Sequence, residues 1–228
     1  MSRIAIIPAR GGSKRLPRKN IIEFRGKPII AYSIEAGLET DLFEKVVVST
    51  DDEQIAEISK KYGAEVSYRP ANLADDRSSV VDVCVHQLSK EKDDGREYDL
   101  FACLYATAPL RTADDIVQTV QIVETGEADF AMAVTEYHFP AYQALLLSDD
   151  HYLRPVWPEW NIRKSQDVPR MIVDNGSTYI ATVSNFLKER TFYGKRCKGY
   201  FMPRVKSVDI DTIDDLLIAE KFAELVDK

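Results

Sequence analysis

The sequence predicts an α/β fold of the Rossmann-like kind, a mostly parallel sheet with helices on both faces. Three observations predict it. Short apolar runs of strand length recur from Arg3 onward. Amphipathic stretches of helix length separate them. A loop rich in glycine and cations follows the first run directly, where sheets of this kind hold their ligands.

Arg3 to Ile7 reads as a buried strand closed by Pro8, and the loop runs on to about Asn20. Gly26-Lys27-Pro28 is a turn signal, and Pro28 suits the first turn of a helix reaching about Leu38. Val46 to Val48 is a second strand. Thr50, with Glu53 completing a capping box, is expected to start a helix through Lys61, which Gly63 ends. Val66 to Tyr68 is a short third strand, and a helix covers roughly Ser79 to Lys90. Leu100 to Tyr105 reads as a central strand, Asp114 to Glu124 as a helix and Asp129 to Thr135 as another strand. The pattern then breaks. About 136 to 176 hold both tryptophans, Trp157 and Trp160, with four prolines and little periodicity, as expected of an arm inserted into a single domain spanning 1 to 228. Ser177 to Thr182 reads as a strand, Ser184 to Arg190 as a helix, and Gly199 to Pro203 and Val205 to Ile210 as extended. Thr212, with Asp215 in a capping box, opens a last helix to Val226.

Composition removes several function classes. The chain of 228 residues is 45% hydrophobic, enough for a real core, and no apolar run reaches membrane-helix length. The net charge of −7 argues against nucleic acid as a partner. Cys84, Cys103 and Cys197 show no disulfide or zinc spacing, and His86, His138 and His151 suggest no triad. The opening residues lack a signal-peptide pattern, so a reducing cytoplasm is expected, with no membrane partner. Against this acidic background, residues 10 to 19 carry Arg10, Lys14, Arg15, Arg18 and Lys19 and no acid. Such a local cluster suits a small anion.

The loop is Ile7-Pro8-Ala9-Arg10-Gly11-Gly12-Ser13-Lys14, continued by Lys19-Asn20. Gly11 and Gly12 allow close backbone approach, and Arg10, Lys14 and Lys19 can neutralise a triphosphate. The order is neither a Walker A loop nor the dinucleotide-binding glycine pattern, which excludes the commonest oxidoreductase reading. Asp209 and Asp211, two apart on an expected strand, share a face and can meet one hard cation. The alternative is that both are acids placed ahead of a helix N-terminus. Thr107 to Arg111 follows the central strand and can present Arg111 to a base or sugar, or be only a turn. Ser78 and Ser79 can contact nucleotide or cap a helix.

Together these segments resemble the acylneuraminate cytidylyltransferases, the CMP-sialic acid synthetases and their relatives. The loop resembles the family's opening signature. Val48-Ser49-Thr50-Asp51, Asp76-Arg77-Ser78-Ser79, Thr107-Ala108-Pro109-Leu110-Arg111 and Asp209-Ile210-Asp211-Thr212 resemble four further motifs in the family's order. The resemblance implies transfer of CMP from CTP to a sialic-acid-like nonulosonic acid, with release of pyrophosphate. It implies Mg2+ on Asp209 and Asp211, catalysis by Arg10, Lys19 and Asp211, and nucleotide contacts from Ala9, Arg10, Gly11, Gly12, Ser13, Lys14, Lys19, Ser79, Thr107 and Arg111. Two departures bear on the sugar. Tyr105 stands where N-acetylneuraminate enzymes carry glutamine, and Asn175-Gly176-Ser177-Thr178-Tyr179 where they carry Asn-Gly-Ala-Ile-Tyr. These and Arg163-Lys164-Ser165-Gln166-Asp167 look more like the pseudaminic acid branch, which implies sugar contacts from Tyr105, Arg163, Lys164, Gln166 and Tyr179. A homodimer is expected through the arm, whose Tyr137, Phe139, Tyr142, Trp157 and Trp160 need a partner surface. The rivals are a 3-deoxy-manno-octulosonate cytidylyltransferase and a non-catalytic CMP-sugar-binding subunit.

Overall fold

The computed structural model describes residues 1–73 and 78–226, so Asp76 and Arg77 of the third motif lie outside the described residues. Seven strands form the central sheet: β1 (Arg3–Pro8), β2 (Lys45–Thr50), β3 (Glu65–Tyr68), β4 (Leu100–Leu104), β5 (Phe130–Glu136), β6 (Ile172–Thr182) and β7 (Cys197–Phe201). Their order is β7-β5-β6-β4-β1-β2-β3. All the pairings are parallel except those of β6, which runs antiparallel to both β4 and β5. The helices are α1 (Ile29–Glu39), α2 (Glu53–Lys61), α3 (Val80–Asp93), α4 (Ala113–Glu124), α5 (Val183–Glu189) and α6 (Ile213–Val226).

Strand alternation sorts the core into two layers. Ala5 and Ile7 of β1 pack with Ile30, Ile34, Ile55, Ile116 and Val120 on the α1, α2 and α4 side. Ile4 and Ile6 pack with Cys84, Leu88 and Phe186 on the α3 and α5 side. A third cluster joins Leu16 of the basic loop, Leu110, Val208, Ile210 and Leu216. It fastens α6 and the segment before it over the end of the sheet where the basic loop lies.

Several local expectations need correction. The N-cap of α2 is Asp52, whose side chain accepts from the Ile55 N–H, while Thr50 is the last residue of β2. The ladder holds Thr50 in extended geometry, which leaves the cap to the next acid that is free to turn. Val205 to Ile210 is not an extended run. A short 3-10 turn, Arg204–Lys206, precedes a segment without ladder pairing, so Asp209 and Asp211 are not strand residues. Their spacing still matters, because they alternate with Val208 and Ile210, which are buried in the third cluster. The capping box of Thr212 and Asp215 is present.

The segment leaving the sheet is shorter than 136 to 176. Ile172, Val173 and Asp174 already pair with Glu136, Thr135 and Val134. Beyond them the chain forms an antiparallel hairpin, Leu145–Leu147 against Leu153–Pro155, and one turn of helix, Pro158–Asn161. Trp157 stacks on Trp160 with centroids 5.3 Å apart. Leu145, Leu147, Leu153, Tyr152, Phe139 and Ile162 are all at least half exposed.

Candidate active site

The carboxyl ends of β1, β2, β3 and β4 converge on one cleft. Arg10 lies two residues beyond β1, Arg69 one beyond β3 and Tyr105 one beyond β4, and all three line it. Among the described residues, Lys14, Arg15 and Lys19 from the basic loop complete a set of five cations, and Asp211 is the one acid in the lining. A second cleft opens on the other side of Tyr105, which lines both. Its walls include Glu136, Tyr137, His138, Asp174, Asn175, Gly176, Tyr179, Arg204, Ser207 and Asp209. The cavities measure about 260 and 370 Å³. Each is near the small end of ligand pockets, so the pair suits two small ligands meeting at Tyr105.

The bulge in β6 shapes the join. Ladder register shifts between Asp174 and Tyr179, and Gly176 sits there at φ +65. A Cβ at Gly176 would fall 2.8 Å from Asp209 Oδ2. Glycine is therefore required twice, for the left-handed backbone and for the aspartate's position. Thr107 Oγ1 donates to Asp209 Oδ1 at 2.5 Å, and the Ile210 N–H donates to the Thr107 carbonyl at 2.9 Å. Burial pushes the Asp209 carboxyl up to about 6, against the opposing pull of that hydrogen bond and of Lys19. Asp211 is also partly buried, but Lys19 and Arg15 both pair with it and hold it below the usual carboxylate range.

These two carboxylates fit a hard cation. No cluster of three or more metal-ligating side chains exists among the described residues. Magnesium characteristically takes one or two carboxylates and completes its shell with water and substrate phosphates. Asp211 faces the cationic cleft and Asp209 the second one, which places the pair where the clefts join.

Arg10, Ser13, Lys14, Lys19 and Thr107 line the cationic cleft, as does Tyr105. Gly12 has nothing within 4 Å of where a Cβ would stand, leaving open space over the loop. The other expected nucleotide contacts lie outside this lining. The Gly11 N–H donates to Asp51 Oδ1 at 3.1 Å, and its Cα packs against Asp52, so this glycine seats the loop on the end of β2. Ala9 is buried, with its N–H on the Ser49 carbonyl. Ser79 caps α3, accepting from the Asp82 N–H and donating to the Asp82 carboxylate, while Ser78 lines the cleft. Arg111 is 3% exposed and donates to the Ser177 carbonyl at 2.7 Å. Burial pushes its pKa down to about 10. It ties the β6 bulge to the end of β4 from inside, and its Nε and Nη2 are buried without a partner among the described residues.

Tyr179 lines the second cleft and donates to Asp174, which also accepts from Tyr193 at 2.6 Å. Arg163, Lys164 and Gln166 line neither cleft, because they belong to the arm beyond the sheet. Sequence reasoning missed Arg69 and Arg204. Arg69 is 8% exposed and donates to the Ser49 carbonyl at 3.1 Å, and its buried Nε has no partner among the described residues. The available signal was an arginine directly after the third strand.

The family model of the cytidylyltransferases matches residues 4–224. This chain belongs to the cytidylyltransferase family. The pseudaminic acid cytidylyltransferase of Campylobacter jejuni serotype O:2 is 38% identical over 96% of this chain and 95% of that protein. The CMP-N,N'-diacetyllegionaminic acid synthase of Legionella pneumophila is 34% identical over 97% and 96%. The N-acylneuraminate cytidylyltransferase of Escherichia coli O18:K1:H7 is 36% identical over 95% of this chain and 51% of that protein. The fold is shared with CMP:2-keto-3-deoxy-manno-octonic acid synthetase, solved with CTP, at TM-score 0.73 and 18% identity over 99% of this chain and all of that one. These three relatives lie within 34 to 38% identity of this chain, whereas the octonic acid enzyme matches it at the level of fold.

Proposed function

We propose that this chain transfers CMP from CTP to a nonulosonic acid of the pseudaminic or legionaminic kind and releases pyrophosphate. The observation that carries this is the join of two clefts at Tyr105, one walled by five cations and the other by polar and aromatic groups. Cations suit a triphosphate, and the mixed lining suits a sugar acid. The C2 hydroxyl of the sugar attacks the α-phosphorus. A C–O–P bond forms as the hydroxyl proton passes to solvent, the bond from the α-phosphorus to the bridging oxygen breaks, and pyrophosphate leaves with that oxygen. Arg10, Lys14 and Lys19 hold the phosphates and stabilise the charge that builds on them. Mg2+, held by Asp209 and Asp211, supplies further charge neutralisation there when bound. Thr107 fixes the Asp209 carboxylate, and Tyr105 separates the base side from the sugar side.

The arm fits a homodimer, whose second copy covers the exposed hairpin and brings Arg163, Lys164 and Gln166 toward its partner's sugar cleft. Among the described residues no helix is long and apolar enough to cross a membrane. Three unpaired cysteines fit a reducing cytoplasm. The function is tested by pyrophosphate release from CTP with pseudaminic, legionaminic, N-acetylneuraminic and octulosonic acids offered in parallel. The proposal expects kcat/KM to be highest for the deoxy, diacylamino acids, with turnover lost in EDTA and restored by magnesium. N-acetylneuraminate matching those sugars would overturn the branch, and octulosonate alone reacting would overturn the substrate class.

A further inference from the structure

The second cleft has an uneven charge map. Three carboxylates line it, Glu136, Asp174 and Asp209, of which Glu136 pairs with Arg170 at 3.3 Å, and among the described residues Arg204 is the only arginine or lysine of the lining. A nonulosonic acid carries its own carboxylate on C2, the carbon whose hydroxyl reacts. That carboxylate is therefore confined to the neighbourhood of the transferring phosphate and of Asp209. Entering beside Asp174, whose carboxylate has no cationic partner among the described residues, it needs a cation of its own there. Arg163 and Lys164 line neither cleft of their own chain.

Arg204 is held in place by its backbone. Pro203 precedes it, and the 3-10 turn is closed by the Lys206 N–H on the Pro203 carbonyl and the Ser207 N–H on the Arg204 carbonyl, at 2.9 and 3.0 Å. The Ser207 hydroxyl, which donates to the Pro203 carbonyl, accepts from Asn175 of the β6 bulge. The turn is thus tied to the bulge that seats Asp209. The other cation of the turn, Lys206, is committed to the buried Asp115 at 2.6 Å. The Arg204 guanidinium is exposed and pairs with no described residue.

We propose that Arg204 binds the C1 carboxylate of the sugar acid within the same chain, and so orients the C2 hydroxyl toward the nucleotide. This rests on the function proposed above. Its fork matches a carboxylate with two parallel hydrogen bonds, a geometry lysine cannot reproduce.

The test is steady-state pyrophosphate release with a nonulosonic acid and with its C1 carboxamide, for the wild type, Arg204→Gln, Arg204→Lys and the double variant Arg163→Gln, Lys164→Gln. Arg204→Gln should lower kcat/KM for the acid about 10- to 150-fold, the loss expected for one charge-assisted contact. KM for CTP should stay within about twofold, since Arg204 is outside the cationic cleft. The preference for acid over amide should collapse in Arg204→Gln and return in part in Arg204→Lys. Calorimetric binding of CTP to Arg204→Gln checks that the fold is intact. An undiminished acid preference in Arg204→Gln, or its loss only in the arm variant, would overturn the assignment. Failure of the functional reading looks different: the wild type would then release no pyrophosphate with any sugar acid.

Discussion

Arg69 ends β3 with a buried guanidinium whose Nε no described residue satisfies, and it faces the cationic cleft. Burial holds its pKa down, with Asp51 opposing and Arg10 adding to that shift. Such an orphan donor is expected to find its acceptor on a ligand. Arg69→Lys, which loses the fork, should raise KM for CTP by about 10- to 150-fold while KM for the sugar stays nearly constant. Equal changes in both constants would assign Arg69 to structure. Gly176 makes the complementary case. Gly176→Ala places a methyl 2.8 Å from Asp209 Oδ2 and demands a left-handed alanine. It should lower kcat by at least about tenfold and cost about 1–2 kcal/mol of stability. Full activity with an unchanged urea midpoint would separate the bulge from the site.

At the scale of elements, the parallel half of the sheet was legible because Ile4 to Ile7 and Val46 to Val48 are short, doubly buried runs between turn signals. The direction of β6 was not legible. Nothing local in Ser177 to Thr182 distinguishes an antiparallel strand, and its first residues were hidden in the aperiodic arm. The loop's role followed from its cations, but the division of work among Gly11, Gly12, Ser78 and Ser79 depends on which neighbour each meets. The burial of Arg111 was not legible either, because it depends on the bulge at Ser177. One inter-element tie was equally invisible. Glu91 of α3 is 3% exposed and pairs with Lys45 of β2 and with Arg96. Burial pushes its carboxyl up, but Arg96 and Lys45 outweigh that and hold it below its ordinary value. A carboxylate lowered by folding stabilises the protein above the unfolded pKa and loses that contribution as pH falls through the folded one. Glu91→Gln should therefore cost about 1–3 kcal/mol at pH 7 in urea unfolding. The gap to wild type should narrow below about pH 4.3. A gap independent of pH would point to packing instead of charge.

For the whole molecule, the arm and the second cleft are one question. Leu145, Leu147 and Leu153 share one face of the exposed hairpin, with Leu147 directly opposite Leu153. A monomer would leave that face in water. Leu147→Glu should shift light scattering from dimer to monomer and raise KM for the sugar more than KM for CTP, because the partner's arm no longer approaches the sugar cleft. A wild type that is monomeric and fully active at micromolar concentration would remove the dimer from the account. On the proposed function, the sugar's own C2 oxygen attacks the α-phosphorus where the two clefts meet. Phosphorus NMR of a reaction run with sugar acid labelled by oxygen-18 at C2 tests it most directly. The account predicts a CMP ester whose resonance carries the isotope shift of a labelled bridging oxygen, formed in equal amount with unlabelled pyrophosphate. An ester without the label, or pyrophosphate accompanied only by free CMP, would contradict it.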